Sequence, residues 1–271
     1  MNTLCIYHAN CLDGFTAAWV LKKAIPEIEI HPGIYGESPP DVTNKNVYLV
    51  DFSYKRPILI DMASKAKNIT IIDHHKSALE DLVDLPDNVL THFDMNHSGA
   101  ILAWNYFFNE EAPLPLQYIE DRDLWKFKLP YSREINAALF SYPYDLDLWD
   151  SLMYGSINKL INEGASINRK HHKDIDELLE VMTRVLQIGS HEIPAVNLPY
   201  TYGSDSAGKL CEDQPFAAYY YHTPNGVFFG LRSDKNGVDV SNIAKLYGGG
   251  GHMHAAGFTV SFEEARGFEI A

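Results

Sequence analysis

The stretch Ile69-Thr70-Ile71-Ile72-Asp73-His74-His75 decides the fold, because an apolar run typical of a buried strand leads directly into three side chains that can bind metal. The same pattern occurs twice more: Leu4-Cys5-Ile6-Tyr7 leads to His8, and Val47-Tyr48-Leu49-Val50 leads to Asp51. Ligands of open α/β sheets bind beyond the carboxyl ends of parallel strands, where neighbouring strand ends converge. The sequence therefore predicts one metal site assembled from three separate places in the chain.

Segments with strand and helix patterns alternate through the first half of the chain. This alternation predicts an α/β fold with a doubly wound, mainly parallel sheet. A long polar helical pattern then extends from about Ser156 to Gln187, and Asn225-Gly226 between two apolar runs predicts a β-hairpin further on. We expect three parts: residues 1–155 as a metal-binding domain, 156–188 as a connecting helix, and 189–271 as a smaller C-terminal α/β domain.

The composition is that of an ordinary globular chain with a strong negative charge. The 271 residues are 46% hydrophobic and carry a formal net charge of −14. Proteins that bind long nucleic acids normally present a basic surface, so this charge disfavours a long polyanion and favours a short or small phosphorylated substrate. No stretch approaches the roughly 18 apolar residues of a membrane helix, and the first residues lack a signal-peptide pattern.

The cysteines favour a reducing compartment. Cys5, Cys11 and Cys211 have no spacing typical of a metal site and are odd in number, which argues for free thiols rather than a disulfide framework. We therefore expect a cytoplasmic protein. We also expect that it is a monomer or a homodimer and that it does not contact a membrane.

The candidate metal ligands combine imidazoles and carboxylates. This mixture favours a first-row divalent ion, with Mn²⁺ preferred over Mg²⁺ because Mg²⁺ prefers an all-oxygen shell. The number of carboxylates is compatible with two ions about 3.5–4 Å apart, as used in phosphoryl chemistry. Any one of these aspartates alone would be read as a helix cap or a turn residue. The candidates are His8, Asp13, Asp51, Asp73, His74, His75 and either Asp121 or Asp123.

A glycine-rich motif, Gly248-Gly249-Gly250-Gly251-His252, forms a second candidate site. Glycine amides without side chains allow a phosphate to approach closely, although a flexible linker would have the same composition. His252 would supply a hydrogen-bond donor or a proton. Arg232 and Ser233 could grip a terminal phosphate, with a surface ion pair as the alternative for Arg232. His97 could touch substrate or belong to an ordinary helix cap.

Together these motifs resemble the DHH/DHHA1 family of phosphoesterases, in particular its nano-RNases and its oligonucleotide and dinucleotide phosphodiesterases. The resemblance covers nearly the whole chain. It implies a catalytic DHH domain over 1–155, a DHHA1-like substrate-binding domain over 189–271, and catalysis in the cleft between them. The segments that carry it are His8-Ala9-Asn10-Cys11-Leu12-Asp13-Gly14, Asp51, Asp73-His74-His75, Asp121-Arg122-Asp123 and the glycine-rich motif with His252.

The resemblance also implies a role for each matching side chain. His75 would face the substrate phosphate, Asp73 would orient a neighbouring ligand, and His252 would take part in catalysis from the second domain. Two Mn²⁺ ions would be bound, with Mg²⁺ or Co²⁺ as possible substitutes. Asp121 is preferred over Asp123 because the segment before it matches the apolar segment of the family. The implied metal ligands are His8, Asp13, Asp51 as the bridging group, His74 and Asp121.

One position departs from the family pattern. The first motif often holds two aspartates, whereas this chain has only Asp13, with Asn10 and Cys11 before it. One metal would then be held more weakly, or Cys11 or a water would take the vacant place. A thiolate beside hard oxygen donors is unusual, so a packed, non-ligating Cys11 is the preferred interpretation.

The resulting hypothesis is a Mn²⁺-dependent phosphodiesterase. It would hydrolyse short oligonucleotides, or linear or cyclic dinucleotides, to nucleoside monophosphates with water activated by two metals. The first alternative is a phosphomonoesterase acting on a nucleotide bisphosphate of the 3′-phosphoadenosine type. The second is a nucleotide-sensing module that binds without hydrolysis, which is disfavoured because the expected metal carboxylates are present.

Overall fold

The computed structural model describes residues 2–269. The chain divides into two compact units, Met1–Asn168 and Arg169–Ala271. Each unit has its own sheet and its own buried core. No helix among the described residues is long and apolar enough to cross a membrane.

The first unit is built on a five-stranded parallel sheet with the order β2-β1-β3-β4-β5. Its strands are β1 (Thr3–His8), β2 (Glu29–Gly33), β3 (Asn46–Val50), β4 (Asn68–Asp73) and β5 (Val89–Phe93). Its helices are α1 (Leu12–Ala24), α2 (Arg56–Lys65), α3 (Lys76–Asp81), α4 (Gly99–Phe107), α5 (Leu114–Asp123), α6 (Ser132–Ser141) and α7 (Leu146–Met153). Helix α8 (Ile157–Met182) contains the boundary between the units.

Both faces of this sheet are buried, because successive side chains along a strand point to opposite sides. Cys5, Val50 and Ile72 belong to a core cluster with residues of α1 and α4, whereas Leu49 and Ile71 belong to a second cluster with residues of α2. A parallel sheet covered on both faces is the doubly wound arrangement that the alternating pattern predicted. The predicted fold class is confirmed.

The second unit contains a six-stranded mixed sheet with the order β10-β11-β9-β8-β7-β6. The Asn225-Gly226 turn joins β8 to β9 as a hairpin, with Gly226 at φ 149°. The strands are β6 (Thr183–Ile188), β7 (His191–Asn197), β8 (Ala217–Thr223), β9 (Gly226–Arg232), β10 (Gly250–His252) and β11 (Ala255–Val260). The helices are α9 (Tyr200–Leu210), α10 (Val240–Leu246) and α11 (Phe262–Arg266).

The helical prediction for Ser156 to Gln187 is wrong over its last residues. Helix α8 ends at Met182, and β6 pairs antiparallel with β7 through a turn at Gly189, which has φ +60°. Leu186 and Ile188 lie two positions apart on one face and are both buried in the core of the second unit. Their burial against the sheet outweighs the helical spacing, because tertiary packing commonly overrides local propensity.

Candidate metal centre

Three adjacent parallel strands end at one edge of the first sheet and bring their end residues together. Strand β1 lies beside β3, and β3 lies beside β4. His8 Nδ1, at the end of β1, lies 3.5 Å from Asp51 Oδ2, just after β3. Asp51 Oδ1 lies 3.1 Å from Nε2 of His74, just after β4. The two oxygens of Asp51 thus face histidines delivered by two different strands.

The backbone of Asp51 has an unusual conformation that aims its carboxylate at these histidines. Asp51 has φ +51°, in the left-handed region that residues other than glycine rarely adopt. Its amide donates to the carbonyl of Ile72 over 2.9 Å, and its side chain is buried. Strained backbone of this kind is found where the surrounding structure imposes a functional geometry.

Asp13 enters the cluster from the first turn of α1. Its two carboxylate oxygens each accept a hydrogen bond from the amide of Ala100 at 3.2 Å, at the N-terminus of α4. A helix N-terminus favours negative charge, so α4 stabilises the ionised form of this buried group. Asp13, His74 and Asp123 offer ligand atoms within 4.8 Å of one another.

A second group of three is formed by His8, Asp51 and His75, whose ligand atoms also lie within 4.8 Å of one another. His75 is oriented by Asp73, because its Nδ1 lies 2.7 Å from Asp73 Oδ1. The same oxygen accepts the backbone amides of His74 at 2.7 Å and His75 at 3.3 Å. The carboxylate of Asp73 therefore fixes the conformation of the loop that carries both histidines.

Burial and mutual repulsion dominate the charge state of the cluster. Burial raises the pKa of Asp13 well above its usual value, and the charges of Asp123 and Asp51 raise it further. Burial opposes ionisation of Asp51 too, but the contacts of its carboxylate with His74 and His8 hold its pKa well below the usual value. The pKa of His74 is raised to about 10, against the effect of burial, by its contact with Asp51 and the charge of Asp123. The cluster thus retains protons that offset its negative charge.

These residues fit a divalent cation. The buried atoms His8 Nδ1 and Asp51 Oδ2 have no hydrogen-bond partner among residues 2–269. Burying unsatisfied polar atoms and carboxylates of like charge is costly unless they are paired or coordinate a metal. Imidazole nitrogen and carboxylate oxygen are suitable donors for ions such as Mn²⁺. A bound cation would both satisfy the buried atoms and replace the retained protons.

The preference for Asp121 as a ligand is corrected by the structure. Both oxygens of Asp121 accept backbone amides, from Lys128 at 2.9 Å and from Leu129 at 3.2 Å. Asp123 lies instead beside the cluster, with its Oδ2 3.5 Å from His74 Nε2. The apolar segment before Asp121 misled the prediction because α5 is amphipathic, and the two aspartates, two residues apart, point in different directions from its end.

The metal cluster requires glycine at two positions, Gly14 and Gly99, that were not predicted as site residues. A Cβ at Gly99 would lie 2.5 Å from Cβ of Asp51, and a Cβ at Gly14 would lie 2.4 Å from the carbonyl oxygen of His8. The sequence does mark these positions: Gly14 follows the candidate ligand Asp13, Gly99 follows Ser98, and each glycine lies at the start of a helix.

Cys11, the departure from the family pattern, precedes α1 at its N-cap position. Its pKa is raised well above the usual value by burial and by the charges of Asp51, Asp123 and Asp13. Among residues 2–269, no group of three close metal-binding side chains includes Cys11. A protonated thiol packed beside the carboxylates agrees with the preferred interpretation.

His97, a predicted substrate contact, lies on the first unit before α4. Its Nδ1 lies 3.0 Å from Oε2 of Glu120, and the same oxygen accepts the amide of Ser98. The structure thus places His97 in a hydrogen-bonded pair at the start of α4, and its contact with substrate stays a prediction.

The predicted phosphate-gripping residues lie in the second unit. Arg232 donates to Ser204 Oγ over 2.7 Å, and its Nε is buried without a hydrogen-bond partner among residues 2–269. Ser233 Oγ lies 3.0 Å from Nδ1 of His254. Arg232 and Ser233 lie at the end of β9, next to His254 just before the paired strand β11.

Part of the glycine-rich motif lies in a β-strand. The amide of Gly249 donates to Ala244 at the end of α10, so it does not point at a ligand. Gly250, Gly251 and His252 form β10, paired with β11, and a Cβ at Gly251 would lie 2.6 Å from the carbonyl of Ala255. Close packing explains Gly249 and Gly251, since a Cβ at Gly249 would lie 2.1 Å from the carbonyl oxygen of Gly257. Phosphate binding by Gly249, Gly250, Gly251 and His252 stays a prediction.

Comparison with known proteins identifies the fold. No protein-family model matches the chain. It is 29% identical to uncharacterized protein R106 of Acanthamoeba polyphaga mimivirus over 94% of this chain and 67% of that protein. It is also similar to the pGpG-specific phosphodiesterase PggH of Vibrio cholerae, with 16% identity, a TM-score of 0.49, and coverage of 98% of this chain and 95% of that one.

RecJ of Thermus thermophilus, solved in complex with Mn²⁺, has a TM-score of 0.51 and 14% identity to this chain. The match covers 98% of this chain and 51% of RecJ, so this chain spans about half the length of that protein. Identity this low supports the fold and leaves the chemistry to be argued from the site. The chain therefore has the two-domain α/β fold of the DHH-type phosphoesterases, and the resemblance that its motifs indicated is confirmed at the level of the fold.

Proposed function

We propose that this protein is a DHH-type phosphoesterase that hydrolyses phosphodiesters in short oligonucleotides, or in linear or cyclic dinucleotides, to nucleoside monophosphates. The observation that carries the proposal is the position of Asp51 between two groups of metal-binding side chains. One of its oxygens faces His8 and the other faces His74. A carboxylate in this position is suited to bridge two ions, as two-metal hydrolases require.

The two groups of side chains divide the binding of the ions between them. His8, Asp51 and His75 would hold one ion, and Asp13, His74 and Asp123 would hold the other. Bound divalent cations would lower the pKa of a water and stabilise the negative charge that develops on the phosphoryl oxygens. The mixed nitrogen and oxygen donors favour Mn²⁺ over Mg²⁺.

The side chains around the ions would set the positions of the metal ligands. Asp73 accepts a hydrogen bond from Nδ1 of His75 and so fixes the orientation of the imidazole beside the cluster, where the ring would meet a metal or a phosphate oxygen. The helix dipole of α4 stabilises Asp13, and buried Asp51 is kept ionised by its histidines. These contacts position the donors before substrate arrives, which lowers the reorganisation needed for reaction.

The substrate class follows from charge and from the resemblance of the motifs. The formal net charge of −14 opposes the approach of a long polyanion, whereas a dinucleotide carries little charge to repel. A substrate that must reach a cluster of buried carboxylates also has to present an accessible phosphate. A short, flexible phosphodiester meets both conditions.

The proposal is tested by product analysis with purified protein. We expect Mn²⁺-dependent release of nucleoside monophosphate from a linear dinucleotide, and loss of this activity on chelation. The variant Asp51→Asn should abolish turnover, because the amide can neither bridge two cations nor balance the charge of His74. Asp147→Asn, which changes an exposed carboxylate, is the matched control and should retain activity.

The same assay separates the competing activities. A 3′-phosphorylated nucleotide that is hydrolysed faster than the dinucleotide would identify a phosphomonoesterase instead. Binding of nucleotides with no release of product from either substrate would identify a sensor. Undiminished hydrolysis by Asp51→Asn in metal-replete buffer would refute the proposed centre.

A further inference from the structure

The segment Leu124–Arg133, directly after Asp123, has a composition unlike the rest of the chain. Its sequence Leu-Trp-Lys-Phe-Lys-Leu-Pro-Tyr-Ser-Arg contains three cations, three aromatic residues and no carboxylate, in a protein whose formal net charge is −14. We call residues 124–133 the aromatic–cationic loop. Aromatic rings interleaved with cations are typical of surfaces that bind nucleotides or single strands, because rings stack on bases and cations attract phosphates.

The loop is held in one conformation by Asp121. The backbone carbonyl of Asp121 accepts the amides of Lys126 at 2.8 Å and Phe127 at 3.2 Å. Its carboxylate accepts the amides of Lys128 and Leu129. Four consecutive amides of the loop therefore converge on one residue. This explains why Asp121 is buried without being part of the metal cluster, and it makes the loop a preformed surface.

The backbone of the loop is strained at each of its aromatic residues. Trp125, Phe127 and Tyr131 have φ of 54°, 45° and 62°, all in the left-handed region. Bulky residues rarely adopt this conformation, which costs of order 1–3 kcal/mol per residue and is concentrated at ligand-binding and active sites. Glycine or asparagine would fit these positions with less strain. The rings are therefore retained at a cost to stability.

Trp125 is the exposed aromatic side chain of the loop that follows Asp123 most closely, while Tyr131, which is 59% exposed, lies six residues further along the chain. Trp125 is 39% exposed, whereas Trp19, Trp104 and Trp149 are each at most 2% exposed. The ring of Phe127 is covered by the guanidinium of Arg133 at 3.9 Å, and it supports the Trp125 ring edge-on with centroids 5.0 Å apart.

One cation lies beside this ring, and two more are exposed in the same loop. Arg122 Cζ lies 5.7 Å from the centroid of Trp125. Lys126 is exposed and reaches the carbonyl of Asn96 over 3.3 Å, and Lys128 is also exposed. The loop thus offers an aromatic platform with positive charge next to it, two residues beyond the candidate ligand Asp123.

We infer that the aromatic–cationic loop is a nucleobase-binding subsite in which Trp125 stacks on the base of a nucleotide whose phosphate lies at the metal centre. The inference rests on the proposed function for the identity of the substrate. It adds that the protein recognises the base as well as the phosphate, and that it does so with residues of the first unit. Stacking on a tryptophan tolerates every base, because each base has an aromatic face.

The test compares adenosine 5′-monophosphate with ribose 5-phosphate, which has the same phosphate and sugar but no base. Affinities are measured by calorimetry with the full chain in Mn²⁺. We expect the nucleotide to bind about tenfold more tightly, which corresponds to about 1.4 kcal/mol. It should also quench the fluorescence of the exposed tryptophan and protect it from acrylamide. Trp125→Ala should remove the tenfold preference, and Trp125→Phe should restore most of it.

Tyr154→Ala provides a matched control. Tyr154 is also an exposed aromatic residue of the first unit, at 55%, with the amine of Lys23 4.8 Å from its ring centroid. Its removal should leave the preference for the nucleotide unchanged. If Tyr154→Ala and Trp125→Ala reduced the preference for the nucleotide over ribose 5-phosphate equally, the assignment of the subsite to the loop would be overturned.

The inference and the proposed function fail in different ways. Equal affinity for adenosine 5′-monophosphate and ribose 5-phosphate in an active enzyme would overturn the stacking subsite and leave the proposed hydrolysis intact. A base-dependent preference that requires Trp125, in a protein that hydrolyses no phosphoester, would support the subsite and refute the proposed hydrolysis. Calorimetry and product analysis on the same preparation distinguish these results.

Discussion

At the scale of single residues, His74 links metal binding to pH. In the metal-free protein its pKa is raised to about 10, despite the opposing effect of burial, because Asp51 and Asp123 stabilise the imidazolium. The ring therefore holds a proton at pH 7 that a metal must displace, since only neutral imidazole is a ligand. We expect Mn²⁺ affinity to rise between pH 6 and pH 8, by about tenfold per pH unit for each proton released.

Calorimetry in two buffers of different ionisation enthalpy counts the released protons. The variant His74→Gln should release fewer protons than the wild type at pH 7, as well as binding Mn²⁺ more weakly. If wild type and variant released the same number, His74 would not be a ligand. The direction of the pH dependence follows from the raised pKa: the competing proton is lost only as pH increases, so affinity increases with pH.

The residues of the metal centre differed in how well the sequence predicted them. His8, Asp51 and His74 follow apolar strands directly, so the rule that parallel strand ends converge predicted their proximity. Asp121 and Asp123 lie at the end of a helix, where a shift of two residues turns a side chain by about half a revolution. Sequence spacing alone could not distinguish a carboxylate facing the cluster from one that binds backbone amides.

At the scale of secondary-structure elements, helix α9 packs on strand β8 through a glycine. The ring of Tyr219 occupies the space next to Gly203, so a Cβ there would lie 2.2 Å from Cδ2 of the ring. Alanine in place of glycine within a helix ordinarily stabilises by roughly 0.5–1 kcal/mol. We expect Gly203→Ala to destabilise instead, by about 1–3 kcal/mol, because the buried ring must move. The free energy of unfolding in urea measures the effect.

A double-mutant cycle attributes this effect to the Tyr219 ring. In a Tyr219→Leu background the space beside Gly203 is less crowded, so Gly203→Ala should cost less than in the wild type. An identical cost in both backgrounds would show that the ring is not the cause. Tyr219 is held between two glycines, since a Cβ at Gly230 on β9 would also lie 2.2 Å from its ring.

The elements that were predicted correctly are those with a strong local pattern. Strands β3 and β4 each contain a run of mainly apolar residues, and the Asn225-Gly226 turn predicts its hairpin. Strand β2 (Glu29–Gly33) was missed because it lies at the sheet edge and contains Pro32. Strand β6 was predicted as helix because only its pairing with β7, which no local pattern encodes, makes it a strand.

At the scale of the whole molecule, the net charge is expected to select substrates by length. With 36 acidic and 22 basic side chains, the protein repels a polyanion at long range, although the aromatic–cationic loop attracts phosphate locally. A dinucleotide should therefore be hydrolysed with a higher kcat/KM than a single strand of about twenty nucleotides. We expect a ratio of roughly tenfold at low ionic strength, with Mn²⁺ held constant.

Added salt distinguishes electrostatic selection from exclusion by shape. The screening length falls from about 30 Å at 0.01 M to about 8 Å at 0.15 M ionic strength, so repulsion between the protein and a long strand weakens. The advantage of the dinucleotide should therefore shrink as salt is added. A long strand with an uncharged methylphosphonate backbone and one terminal phosphodiester is the matched substrate: it should be cleaved almost as fast as the dinucleotide at low salt. If this neutral strand were cleaved as slowly as the charged one, length itself would limit access and the net charge would not explain the selection.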